Sequence, residues 1–109
     1  LFGISLAFLD PDRAKDFSLT VKNKFSGFDY SFEIGNEPDA FVSNARRTST
    51  YNATEYTNEF KLIRDAIIAS NPNATFAGPA YAKTNNTKFF CQFHYWFMPF
   101  PRCGNHYPI

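Results

Sequence analysis

The chain lacks the features that mark membrane, nucleic-acid-binding and repeat proteins. Its 109 residues carry 11 basic and 10 acidic side chains, a net charge of +1, which gives no electrostatic basis for binding nucleic acid or an anionic membrane. No apolar stretch approaches the roughly 20 residues that span a bilayer. No internal repeat or low-complexity tract is evident. Aromatic residues make up 19% of the chain, and this content favours a packed, soluble globular protein over disorder.

The chain also lacks an initial methionine and a signal peptide. Leu1 opens directly into an apolar run, and residues 1–10 contain no basic n-region and no small-residue cleavage site. We therefore expect a fragment, or a mature or trimmed chain, with any signal peptide upstream of Leu1. Cysteine is scarce as well: Cys91 and Cys103 could close a short disulfide loop or remain free thiols, and the sequence leaves both open.

Three Asn-X-Ser/Thr acceptors for N-glycosylation are present, at Asn52, Asn73 and Asn85. All three lie in segments that are typical of loops or element edges. Three acceptors in so short a chain favour a secreted or extracellular protein, although such tripeptides also arise by chance in segments rich in Asn and Thr.

The hydrophobic pattern predicts strands alternating with helices. An apolar run at residues 3–9 predicts a strand buried on both faces, and Asp10 with Pro11 predicts the cap and first residue of a helix over about residues 11–25. A second apolar run predicts a strand at residues 28–36. A capping box and an apolar face then predict a helix at residues 53–70, and a third short run predicts a strand at residues 75–79. This order predicts a parallel α/β fold with right-handed crossovers. The aromatic-rich tail, residues 83–109, has no assignable period.

The most informative stretch is Glu-Ile-Gly-Asn-Glu-Pro-Asp at residues 33–39. A strand with a period of two places Glu33 and Glu37 on one inward face, where two acids are costly unless they are used. Pro38 ends the strand because it has no amide donor. Asn-Glu-Pro alone is more typical of a strand end with a solvated Glu. The buried strand and its βαβαβ context favour a catalytic carboxylate instead.

These residues resemble the fourth-strand signature of clan A glycoside hydrolases, and of family 79 in particular, which includes heparanases and β-glucuronidases. The resemblance spans about residues 3 to 82 and implies that residues 1–82 are part of a (β/α)8 TIM barrel, about strands three to five. It implies that Glu37 is the general acid/base and that Asn36 binds the sugar 2-hydroxyl. The implied activity is retaining hydrolysis of O-glycosidic bonds in glucuronic-acid-containing glycans.

A retaining mechanism also needs a nucleophilic carboxylate, which clan A enzymes carry on the seventh strand. The resemblance therefore implies that this chain alone is inactive and that its full-length parent is the enzyme. It implies a carbohydrate partner and no metal or organic cofactor, and leaves the oligomeric state open. A uronate would need a cation, which Arg46 or Arg47 could supply, whereas Glu33 is expected to be an ordinary interior or salt-bridged acid.

Three alternatives stay open. One is another clan A glycosidase, cellulase-like or xylosidase-like. Another is a catalytically inactive carbohydrate-binding or interaction fragment, in which the aromatic tail would be a stacking platform or partner surface. The third is a truncated gene product with no independent fold, because strands paired on one side only invite aggregation.

Overall fold

Three parallel strands alternate with two helices along the chain. The computed structural model describes residues 1–80. Its elements are β1 (Phe2–Ile4), α1 (Pro11–Lys24), β2 (Ser31–Ile34), α2 (Ala53–Ile68) and β3 (Thr75–Ala77). A short 3-10 helix, Pro38–Ala40, follows β2. Strands and helices come in the order that the sequence pattern predicts. The tail at residues 83–109 lies outside the described residues.

Helix α1 begins where its capping residues predict. The Asp10 carboxylate accepts a 3.0 Å hydrogen bond from the backbone N–H of Arg13, and Pro11 takes the first helical position, where no amide donor is needed. Lys22 and Lys24 lie in the last turn, where the helix dipole favours positive charge. Both ends of the helix therefore carry side chains that stabilise it, and it ends within one residue of the predicted position.

Helix α2 has the apolar face that its sequence predicts. Tyr56, Phe60, Ile63 and Ile67 are each at most 4% exposed. The backbone N–H of Asn71 bonds to the carbonyl of Ile67 at 2.8 Å, and the chain then leaves the helix ahead of a proline. Neither α1 nor α2 is long and apolar enough to cross a membrane.

The sheet has the order β1-β2-β3, and every pairing is parallel. Phe2, Phe32 and Phe76 lie opposite one another in register, so their rings share one face of the sheet. Phe17 of α1 lies 6.0 Å from the Phe2 ring, and Phe60 of α2 lies 6.3 Å from the Phe76 ring, measured between centroids. Both helices therefore pack on the same face. Such a βαβαβ unit occurs in (β/α)8 barrels and in each half of doubly wound sheets.

All three strands are shorter than the sequence predicts, and β1 keeps only Gly3 and Ile4 of the predicted run at residues 3–9. Strand β1 ends at Ile4, and just beyond it the Ser5 hydroxyl accepts a 3.1 Å hydrogen bond from the backbone N–H of Ala7. Phe8, inside the predicted strand, is 82% exposed. Gly3 is exposed too. The prediction that this strand is buried on both faces is therefore wrong in the described residues.

The described residues divide into two compact units. The first contains Leu1–Asn36 and Glu59–Ala80, and the second contains Glu37–Asn58. The first holds the sheet, and Phe32 and Ile34 of β2 are completely buried in it. The buried apolar residues of the second are Ala40, Phe41, Tyr51, Ala53 and Tyr56, and the ring centroids of Phe41 and Tyr51 lie 5.6 Å apart.

A buried polar junction joins three segments of the first unit. Asn71, only 2% exposed, donates from Nδ2 to the Ser18 hydroxyl at 3.3 Å and to the Tyr30 hydroxyl at 3.1 Å. Ser18 is itself fully buried on α1. Because an unpaired buried polar group is destabilising, these bonds tie the end of α2 to α1 and to the segment before β2.

Candidate active site

Asn36 lies at the carboxyl end of the central strand. Gly35, just before it, is buried and has a φ of +75°, a conformation that glycine adopts without strain. Its backbone N–H bonds to the carbonyl of Ile4 at 2.9 Å. Asn36 then pairs with Ala80 in the register that β2 and β3 already have. The Asn36 side chain is exposed, so it stands at the edge of the sheet where parallel α/β folds bind their ligands.

Glu37 has a left-handed backbone, with φ 53° and ψ 53°. It precedes the 3-10 helix, and its carbonyl accepts a 2.9 Å hydrogen bond from the backbone N–H of Ala40. The side chain is half-buried and makes no capping hydrogen bond to that helix. A residue with a Cβ loses roughly 1–2 kcal/mol in this conformation. Glu37 is thus strained and lies beyond the end of β2, where the period of two predicted from the sequence no longer holds.

Glu33 lies on the face of β2 opposite Phe32 and Ile34. Its register neighbours are Gly3 and Ala77, two small residues that leave it half-exposed. The described residues therefore do not bury this acid in an apolar interior.

Arg47 is held by aromatic packing within the second unit. Its guanidinium carbon lies 5.5 Å from the ring centroid of Phe41 and 5.5 Å from that of Tyr51, within the range of a cation–π contact. It also donates a 3.0 Å hydrogen bond to the carbonyl of Arg46. The Arg46 side chain is exposed. Of the two predicted clamps, Arg47 thus has a packing role, and Arg46 is the arginine open to a ligand.

The predicted glycosylation acceptors differ in their surroundings. Asn52 is exposed and caps α2, because its side-chain oxygen accepts a 3.1 Å hydrogen bond from the backbone N–H of Glu55. This confirms the predicted cap. Asn73 is exposed in the turn between α2 and β3. Asn85, Cys91 and Cys103 lie outside the described residues, so the third acceptor and the possible disulfide remain predictions.

Two features of this region were not predicted from the sequence. The left-handed conformation of Glu37 has no signal in the residue type, and a following proline favours extended backbone instead. The pairing of Asn36 with Ala80 was missed because the predicted strand stops at Pro79, which has no N–H for the ladder. Asn36 and Ala80 continue the register that pairs Phe32 with Phe76, and this register is visible only in the structure.

No family model matches the chain, and no curated protein matches it.

Proposed function

We propose that the chain is part of a retaining β-glycosidase, similar to heparanases and β-glucuronidases, and that residues 1–82 contribute part of a (β/α)8 barrel. The observation that carries the proposal is the backbone at two consecutive residues. Asn36 ends the central parallel strand at its carboxyl edge, and Glu37 follows in a left-handed conformation that disfavours any residue except glycine. Strained residues of this kind cluster at active sites.

In the proposed reaction Glu37 acts twice. Its carboxylic acid first protonates the glycosidic oxygen as the bond to the leaving sugar breaks, and its carboxylate then removes a proton from the attacking water. The Asn36 amide hydrogen-bonds to the sugar 2-hydroxyl, a contact that strengthens as the ring approaches an oxocarbenium-like transition state. The proposal requires a second carboxylate as nucleophile, roughly 5 to 5.5 Å from Glu37, contributed by a later strand of the parent protein.

The proposed substrates are glycans that contain glucuronic acid. A uronate carboxylate pairs best with a guanidinium, which offers two parallel donors. Arg46 has the exposure that such a contact needs, whereas the guanidinium of Arg47 already lies against Phe41 and Tyr51. A role for Arg46 in binding would appear as a raised KM for uronates and an unchanged KM for neutral glycosides. We also propose that the parent protein is secreted.

The test begins with the transcript that encodes these residues. The whole protein that it encodes is expressed and assayed on aryl β-glucuronides beside its Glu37→Gln variant. Removing a general acid or base lowers kcat by about 10²–10⁴-fold. Glu55→Gln is the matched control, because Glu55 is an exposed acid in the first turn of α2. It should retain full activity.

The leaving group separates acid catalysis from a structural role. A phenol of low pKa departs without protonation, so Glu37→Gln should lose little of the glycosylation rate on such a substrate and much of it on a poor leaving group. Equal losses on both substrates would contradict the assignment of Glu37 as the acid.

The same experiment distinguishes the alternatives. Turnover of cellulose-type or xylose-type substrates in place of glucuronides would indicate another clan A glycosidase. A parent protein that binds glycans equally well with and without Glu37→Gln and hydrolyses none would indicate a carbohydrate-binding protein.

A further inference from the structure

A groove of about 850 Å³ opens in the first unit at the amino ends of the strands. Leu1, Tyr30 and Thr75 line it, each before or at the start of a strand. Asn36 lies at the other end of β2, so this groove is separate from the proposed catalytic edge.

Asn73 lies on the wall of this groove and differs sharply from the nearby Asn71. Asn71 is buried and donates two hydrogen bonds, to Ser18 and Tyr30. Asn73 is exposed and begins the acceptor Asn-Ala-Thr. Its amide nitrogen is therefore accessible to modification, and a group attached to it would lie beside the groove.

Two exposed aromatic side chains line the same groove. Phe28 is 71% exposed and Phe25 is 40% exposed, and their rings form an edge-to-face pair with centroids 6.5 Å apart. Lys22 and Asp29 contribute polar groups to the wall. An apolar surface with polar neighbours suits a sugar ring, which has C–H groups on its faces and hydroxyls at its rim.

We propose that Asn73 carries an N-linked glycan whose first sugar residue lies in this groove against Phe28. The proposal rests on passage of the protein through the secretory pathway, as proposed above, and not on its hydrolase activity. The glycan donor is a lipid-diphosphate-linked oligosaccharide. Asn73 Nδ2 forms a bond to the anomeric carbon, the bond from that carbon to the diphosphate oxygen breaks, the lipid diphosphate leaves, and one amide proton is lost.

The first readout is occupancy. The whole protein is produced in a eukaryotic secretory host, the glycan is released enzymatically in heavy-oxygen water, and the label at Asn73 is measured by mass spectrometry. We expect occupancy in the native protein and in Thr75→Ser, and its loss in Asn73→Gln and Thr75→Ala. Asn52→Asp, which removes the other acceptor among residues 1–80 and keeps a good capping residue, should leave Asn73 occupied.

The second readout tests the groove. In a protein whose other acceptors are removed by Asn52→Asp and Asn85→Asp, release of the glycan should lower the Tm by about 2–4 °C, to the value of the same protein with Asn73→Asp, which matches the released residue chemically. In Phe28→Ala the same release should leave the Tm unchanged. Phe28 is exposed, so this variant should still fold.

Two results would overturn the proposal. An unmodified Asn73 in the secreted protein would show that Asn73 is not a glycosylation site. An equal fall in Tm on glycan release with and without Phe28 would show that the first sugar residue does not lie against Phe28. Neither readout involves Glu37, so either failure leaves the proposed glycosidase activity standing.

Discussion

Among residues 1–80 two non-glycine residues have a positive φ, and replacing each by glycine tests whether the backbone strain at Glu37 is retained for catalysis. Glu37 has a φ of 53° and Ala45 has a φ of 56°. Both belong to the second unit. Ala45 has no part in the proposed reaction, so Ala45→Gly reports the release of backbone strain alone.

The expected gain in the free energy of unfolding is the backbone strain that is relieved minus the extra conformational entropy that glycine loses on folding. A residue with a Cβ loses roughly 1–2 kcal/mol in the left-handed region, and glycine loses roughly 0.5–1 kcal/mol more conformational free energy on folding. Ala45→Gly should therefore raise the free energy of unfolding by about 0.5–1 kcal/mol, which corresponds to about 2–8 °C in Tm. Glu37→Gly should gain a similar amount, whereas Glu37→Gln keeps the Cβ and should change stability little.

Urea unfolding followed by far-ultraviolet circular dichroism measures these differences. A destabilised Ala45→Gly protein would show that the left-handed backbone carries no strain. If Ala45→Gly stabilises and Glu37→Gly destabilises, contacts of the Glu37 side chain hold its conformation, and the strain is no sign of function. A stabilised Glu37→Gly protein without hydrolase activity would show stability sacrificed for catalysis.

Three further predictions concern single side chains, each measured by urea unfolding. In unglycosylated protein from a bacterial host, Asn71→Ala should lower the free energy of unfolding by about 2–3 kcal/mol because it leaves the buried Ser18 hydroxyl and the half-buried Tyr30 hydroxyl without their donor, and the exposed Asn73→Ala should stay within about 0.5 kcal/mol. A loss at Asn73 equal to that at Asn71 would contradict this. Asn52→Ala should cost about 1 kcal/mol and Asn52→Asp much less, since Asp also caps helices; equal losses would show that the cap is not the cause. Arg47→Ala should cost about 1 kcal/mol through its aromatic contacts, and a comparable loss from Arg46→Ala would be inconsistent with this packing.

The helices were predictable because their signals are local. Asp10 and Asn52 each accept a hydrogen bond from a backbone N–H three residues later, and the residue types alone indicate such caps. The buried face of α2 followed from its period. Helix α1 buries Ala14, Ser18 and Val21, whereas Phe17 is 39% exposed even though its ring contacts those of Phe2 and Phe32.

The strands and the candidate site were harder to predict because tertiary contacts and backbone torsions determine them. Phe8 and Phe28 extended the predicted strands, yet they are 82% and 71% exposed; ring type alone does not show whether a partner covers it. The sequence did place Asn36 at a strand end. It gave no sign that Glu37 would be left-handed or that the Arg47 guanidinium would lie beside the rings of Phe41 and Tyr51, because both depend on how the loop closes.

The aligned rings of Phe2, Phe32 and Phe76 limit which length changes this sheet can accept. Inserting or deleting one residue inside β2 would turn the following side chains to the opposite face, so that Phe32 or Ile34 would leave the helix side and Glu33 would enter it. Loops that join a strand to a helix have no such alternation and accept added residues at small entropic cost. Natural relatives of this chain should therefore vary in length at residues 5–10 and 26–30 and keep the spacing from Phe32 to Glu37 fixed.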